Sequence, residues 1–219
     1  MYSNNKSVRT ILDITCYLFF TIILFFLTGP YLLYGSTYKF DPITYNDSDS
    51  TKHTEISILI VYYSFTGNTE KMAKAVAEGA QKIPGVNVIT RTIDKVTETE
   101  LKHADAVLLG SPTYYGNMAG QMKSFIDDWW LKYKISLVNK VGGAFSTGGD
   151  QTGGKEHVIH SLVIAMMNAG MILVGPLEGP FGLAGASALD PVDEKALKEA
   201  RSLGEHAASV AQRFKNTIR

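Results

Sequence analysis

From residue 56 onward, short apolar runs alternate with segments whose apolar positions recur every three to four residues. "ISILIVYY" (56–63), "VNVITRTI" (86–93), "ADAVLLGS" (104–111), "KVGGAFST" (140–147) and "GMILVGP" (170–176) have the length and β-branched content of buried strands. Met72, Val76, Ala80 and Ile83 share one helical face. Met118, Met122, Phe125, Ile126 and Trp129 do the same, as do Leu197, Ala200, Leu203, Ala207, Val210 and Phe214. Asp190-Pro191 reads as the N-cap and first-turn proline of that last helix, with Asp193 and Glu194 at its positive end. Strands and helices in alternation predict an α/β fold, a parallel sheet covered on both faces. In such sheets ligands bind beyond the carboxyl ends of the strands, at the topological switch point.

The pattern before residue 56 is different. Residues 14–34, "ITCYLFFTIILFFLTGPYLLY", run roughly 21 positions without a charge, the length a helix needs to cross a bilayer core. Lys6 and Arg9 precede the stretch, which also fits a secretory signal peptide. The apolar run continues past Gly29-Pro30 and offers no clear A-x-A cleavage site, which favours a single-pass membrane anchor over a cleaved, secreted or periplasmic form. Lys39 and Lys52 on the other flank leave the side of the membrane open. Residues 35–54, rich in Ser, Thr, Asn and Asp, read as a linker. The expected organisation is an N-terminal segment over 1–34 with its transmembrane helix at 14–34, a linker over 35–54, and one domain over 55–219.

Charge narrows the choices of partner. Twenty-one basic residues balance 21 acidic ones in a chain of 219, so nothing marks a nucleic-acid binder. The single cysteine, Cys16, excludes an intrachain disulfide and any Cys-rich metal cluster within one chain.

Three segments follow predicted strands and should converge. In the first, residues 64–69, Gly67 permits a tight turn into a helix whose N–H groups and dipole face one point. Ser64, Thr66 and Thr69 add hydroxyls and Asn68 an amide, a cradle suited to one monoester phosphate. It has neither the lysine of a P-loop nor the glycine spacing of a dinucleotide fingerprint. A turn that merely caps a helix has the same composition. The second, residues 111–118, offers Tyr114 and Tyr115 as stacking surfaces beside Gly116. The third, residues 146–154, has four glycines in nine positions, which close backbone approach to a planar ligand would explain, as would a mobile surface loop.

The stretch "YYSFTGNTEKMA" resembles the phosphate loop of flavodoxins. "SPTYYGNMAGQMKSFID", "STGGDQTGG" and "NAGMILVGP" resemble the WrbA group of flavodoxin-like NAD(P)H:quinone oxidoreductases, and "PFGLAGAS" and "ARSLGEHAASVAQRF" resemble its C-terminal end. The resemblance spans residues 56–215. It implies a flavodoxin-like three-layer sandwich with a five-stranded parallel sheet of order 2-1-3-4-5, here preceded by one N-terminal hydrophobic helix. It implies FMN as cofactor, NAD(P)H as co-substrate and a quinone as acceptor. Ser64, Phe65, Thr66, Gly67, Asn68 and Thr69 would hold the FMN phosphate. Pro112, Thr113, Tyr114, Tyr115, Gly116 and Asn117 would contact ribityl and isoalloxazine, and Ser146, Thr147, Gly148, Gly149 and Asp150 would line the other side. The chain departs from the group at Thr66, where a tyrosine is usual, at Tyr114, where an arginine is usual, and at Asn168-Ala169, where the group has two histidines. The stretch between Pro176 and Pro180 is short where the group carries an insertion associated with tetramers, so a homodimer is expected.

The expected activity is therefore FMN-dependent transfer of two electrons from NAD(P)H to a quinone at the membrane. No side-chain acid, base or nucleophile is required, because the flavin carries the chemistry. The histidines form no metal-ligand spacing; His157 and His160, three residues apart, are the pair nearest the third loop. A flavodoxin-like one-electron carrier and a non-catalytic redox-sensing FMN module are the alternatives. For the latter, Trp129 and Trp130 would offer a partner surface, unless they pack into the core or against a dimer mate.

Overall fold

The computed structural model describes residues 55–177 and 184–217, without the side chain of Trp130. The expected membrane span at 14–34 and the whole linker at 35–54 lie outside these residues. Among the described residues no helix is long and apolar enough to cross a membrane.

The elements run in the order β1 (Ile56–Tyr62), α1 (Asn68–Ala80), β2 (Val86–Thr92), α2 (Glu98–His103), β3 (Ala106–Tyr114), β4 (Asn117–Met118), α3 (Gly120–Leu131), β5 (Val141–Gly148), α4 (Lys155–Asn168), β6 (Ile172–Leu173), β7 (Gly185–Leu189) and α5 (Glu194–Thr217). β1 pairs in parallel with β2 and with β3, and β3 pairs in parallel with β5. The sheet thus turns back at β1 and β3, which places the switch point between their carboxyl ends.

Both faces of the sheet are covered. Ile56, Ile58 and Ile60 of β1 join Leu108 and Phe145 in one apolar cluster with α1 and α5. Leu59 and Val61 join Val107 and Leu109 in the other, with Met122 and Phe125 of α3 and Leu162 and Met166 of α4. This period-two split of one continuous apolar run makes the three layers. α1 and α5 touch backbone to backbone. A Cβ on Gly79 would fall 1.8 Å from the Arg201 carbonyl oxygen, and one on Gly204 would fall 1.9 Å from that of Val76.

Four expectations need correction. The predicted fifth strand at 170–176 forms only the two residues of β6, paired with Val141 and Gly142. The rest of that sheet position is β7, paired with Ala144–Gly148. Thus the expected five-stranded parallel sheet is one of seven strands: the order 2-1-3-4-5 describes its positions, but the fifth is split between β6 and β7, and β4 adds an antiparallel pair to β3. "GASAL" has no β-branched residue to announce a strand, yet its small side chains suit the place: a Cβ on Gly185 would lie 2.2 Å from the Ala144 carbonyl oxygen. Second, the last helix is capped by Asp193, whose Oδ1 accepts from the Ala196 N–H at 2.8 Å. Asp190 ends the strand instead: its N–H donates to the Gly148 carbonyl, and the Asp190-Pro191 peptide is cis. Third, Ile83 lies beyond the end of α1 and Met118 belongs to β4, so neither helical face extends as far as its apolar spacing indicated. Fourth, α2 was unforeseen. Its signal was the capping box Thr97-x-x-Glu100, in which the Glu100 N–H donates to Thr97 Oγ1 and the Thr97 N–H to Glu100 Oε2.

Candidate functional site

All three predicted loops lie at the carboxyl ends of parallel strands, after β1, β3 and β5. The first is folded on Ser64. Ser64 Oγ accepts from the N–H groups of Gly67 (3.1 Å) and Glu70 (3.3 Å), which folds the loop and leaves the hydroxyl proton free to donate. Gly67, at φ 88°, is the N-cap of α1 and has no side chain to cap it. The first N–H groups of a helix project beyond its end, here those of Asn68 and Thr69, both buried. A Cβ at Gly67 would meet nothing within 4 Å, so the space before the helix is open. Asn68 Nδ2 donates to Thr66 Oγ1 at 3.3 Å.

The second segment is a hairpin rather than a loop. β3 continues to Tyr114 and returns as β4, with Tyr114 opposite Asn117. The two connecting residues, Tyr115 (φ 48°) and Gly116 (φ 78°), are both left-handed, as a type I′ turn demands. Ser111 Oγ, fully buried, accepts from the Ala119 N–H and so ties the hairpin to the start of α3. Tyr114 meets Tyr63 edge to face, with centroids 6.5 Å apart. Burial, and then the neighbouring Tyr63, push the Tyr114 phenol above its ordinary value.

Hydroxyl pairs lock the third segment to the other two. Thr147 Oγ1 lies 2.8 Å from Thr69 Oγ1, both buried, and Ser146 Oγ lies 3.1 Å from Thr113 Oγ1. Gly154 backs onto the hairpin turn: a Cβ there would come within 3.0 Å of Gly116 Cα. Asp150 folds its own turn. Its Oδ1 accepts from the N–H (3.0 Å) and hydroxyl (3.3 Å) of Thr152, bonds that hold its carboxyl below the usual range.

The structure therefore gathers residues 64–69, 112–117 and 146–150 around one mouth, but in different roles. Gly67, Asn68 and Thr69 form the cradle, and Phe65 and Tyr115 stand almost wholly exposed beside it, at 81% and 107% relative exposure. Ser146 and Thr113 pair their hydroxyls with each other, and Thr147 pairs its hydroxyl with Thr69. Lys155 was missed. It is buried, and its Nζ donates to the carbonyls of Asp150 (2.7 Å) and Gln151 (3.1 Å). A lysine opening a predicted helix reads as solvated, and nothing in its spacing reveals otherwise. His157 and His160 lie exposed on the outer side of α4. Trp129 turns inward, buried against Phe125 with rings 5.4 Å apart and nearly perpendicular.

A family model described as NADPH-dependent FMN reductase matches residues 90–184. An NAD(P)H dehydrogenase (quinone) of Geotalea uraniireducens (strain Rf4) is 34% identical over 203 residues, a match covering 73% of this chain and 99% of the relative. The chain belongs to the NAD(P)H dehydrogenase (quinone) family. Its structural neighbours agree. A flavodoxin, WrbA-like protein from Agrobacterium tumefaciens superposes with a TM-score of 0.60 at 30% identity, over 73% of this chain and 99% of that one. A flavodoxin from the domain Archaea gives 0.60 at 27% identity, over 72% and 99%. In this chain the first loop and the aromatic hairpin flank the sheet's switch point, and the glycine segment lies beside them at the end of β5.

Proposed function

We propose that this chain is an FMN-dependent oxidoreductase that passes two electrons from NAD(P)H to a quinone. The observation that carries the reading is the N-terminus of α1, where Ser64 takes the Glu70 N–H but the cap residue Gly67 has no side chain to take those of Asn68 and Thr69, opening on free space between a hydroxyl-lined loop and an exposed aromatic hairpin. Buried helix-end N–H groups without a side-chain cap are a strong site for a phosphate dianion. The flat rings of Phe65 and Tyr115 would gain by being covered with a planar ring system. The residues present thus fit FMN, the cofactor named by the matching family. When bound, FMN supplies the hydride and electron chemistry.

The chain's own residues bind and orient. Ser64, Thr66, Gly67, Asn68 and Thr69 hold the phosphate by N–H and O–H donation. Phe65, Tyr114 and Tyr115 flank the ring, while Pro112, Thr113, Gly116 and Asn117 set the hairpin beside the ribityl chain. Ser146, Thr147, Gly148, Gly149 and Asp150 form the opposite wall, mainly through backbone kept in place by the hydroxyl pairs. Residues 64–69, 111–118 and 146–154 contain no lysine or arginine, which suits an uncharged acceptor such as a quinone. The 14–34 stretch, as a single-pass anchor, would hold the domain near membrane-dissolved quinone, and the chain would act as a homodimer.

The test is direct. The purified full-length chain should bind FMN, bleach on anaerobic addition of NADH or NADPH, and recover with a benzoquinone. Bound flavin that neither nucleotide reduces would point to an electron carrier, and a chain that binds no FMN would overturn the site.

A further inference from the structure

We propose that Lys155 is a positioning residue for the third loop, holding the 150–153 turn from beneath and so setting the affinity for the planar ligand. Resting on the FMN reading for its ligand, the proposal draws on independent geometry for its loop. Lys155 is 4% exposed, an unusual depth for an ammonium. It opens α4, where the helix dipole already places positive charge, and its recorded partners are carbonyls rather than a carboxylate. The nearby carboxylate, Asp150, is turned to the N–H and hydroxyl of Thr152. Burying a cation this way opposes stability, and an apolar side chain of equal length would fill the same space without that penalty. Stability alone therefore does not account for a lysine here.

What the ammonium does is gather carbonyls. It draws the Asp150 and Gln151 carbonyls inward while the Asp150 carboxylate takes N–H and O–H groups of the same turn, so a segment rich in glycine acquires one shape. Its stem is wedged under the end of β5: a Cβ on Gly148 would lie 2.9 Å from Lys155 Cγ and 3.4 Å from Thr113 Cβ. Through Gly154, packed on Gly116, the same turn abuts the hairpin that carries Tyr115. A shift of the 150–153 turn would thus reach two of the three walls of the mouth.

The test compares wild type with Lys155→Met and Lys155→Gln in the full-length chain. Amide exchange at residues 151–153 and the urea midpoint are measured without FMN, and the Kd for FMN by fluorescence quenching. Lys155→Met should speed exchange in this turn and raise the Kd, each at least tenfold, while leaving the urea midpoint unchanged or higher. Lys155→Gln, which keeps one shorter donor, should fall between. Unchanged exchange and Kd overturn the proposal. So does a loss of affinity matched by a fall in urea midpoint in both variants, or a failure of both to fold, since either marks a merely structural lysine. A wild-type chain that binds no FMN rejects the FMN reading instead, and the exchange rates then still decide whether Lys155 holds the loop.

Discussion

The contact between Thr69 and Thr147 makes a quantitative test of how the cradle is joined to the glycine wall. Their hydroxyl oxygens lie 2.8 Å apart, 78 residues apart in sequence, at 1% and 3% exposure. One hydroxyl donates and the other accepts, and the acceptor's own proton is left to face a neighbour or a ligand. Thr69→Val keeps the shape, removes one hydroxyl and strands the other, which should destabilise the ligand-free domain by about 1–3 kcal/mol. Thr147→Val should do the same. The double variant leaves two methyl groups in contact and no stranded oxygen, so its loss should fall short of the sum of the singles by about 1–2 kcal/mol. Urea unfolding of the four chains gives this cycle directly. FMN affinity should divide differently: Thr69 stands in the first turn of the cradle helix, so Thr69→Val should weaken FMN binding more than Thr147→Val. Additivity within about 0.5 kcal/mol would refute the claim that this hydrogen bond couples the two loops.

Other expectations follow from particular contacts. Gly79→Ala and Gly204→Ala each drive a methyl group into backbone at under 2 Å, so each should cost at least about 1–3 kcal/mol in urea unfolding; a loss below about 0.5 kcal/mol would show that α1 and α5 can separate freely. Tyr115→Asn replaces a fully exposed ring at φ 48° with a residue that tolerates this region. The ligand-free chain should gain a few tenths of a kcal/mol while its FMN Kd rises severalfold, and unchanged FMN binding would remove Tyr115 from the site. Burial raises the Glu199 carboxyl above its ordinary 4.5, with Lys195 opposing and Asp193 assisting. A carboxyl whose folded value is raised binds more protons folded than unfolded, so its contribution falls as pH climbs from the unfolded value through the folded one. Glu199→Gln should therefore stabilise the chain at pH 7, with the gain fading as pH falls through the raised folded value and largely gone at the ordinary 4.5; a pH-independent effect would count against it. Steady-state kinetics should show kcat/KM for NADH at least equal to that for NADPH, because the three loops offer no cation to a 2′-phosphate; a tenfold NADPH preference would contradict this.

What the sequence revealed and what it concealed divide along one physical line. A continuous run such as "ISILIVYY" reports its burial on both faces by composition alone, and a strand followed by a Gly-bearing turn and a helix reports where N–H groups must gather. Strands β1, β2, β3 and β5, the three converging segments and the turn at Gly67 were legible for that reason. The misses are set by partners remote in sequence. "GASAL" pairs with β5 without a β-branched residue, and Gly185 has no room for a side chain against the Ala144 carbonyl, a constraint written in β5 and not in the segment itself. Ser146, Thr147 and Thr113 look like ligand-facing hydroxyls until their partners are known, and Thr69 is claimed both by the cradle and by Thr147. Asp150 and Lys155, five residues apart, hold a single turn through opposite charges that contact backbone rather than each other, and no spacing rule announces such a pair. Residues that follow the carboxyl ends of strands can thus be read from the order of the chain, whereas those that hold these segments in shape are defined by contacts across them.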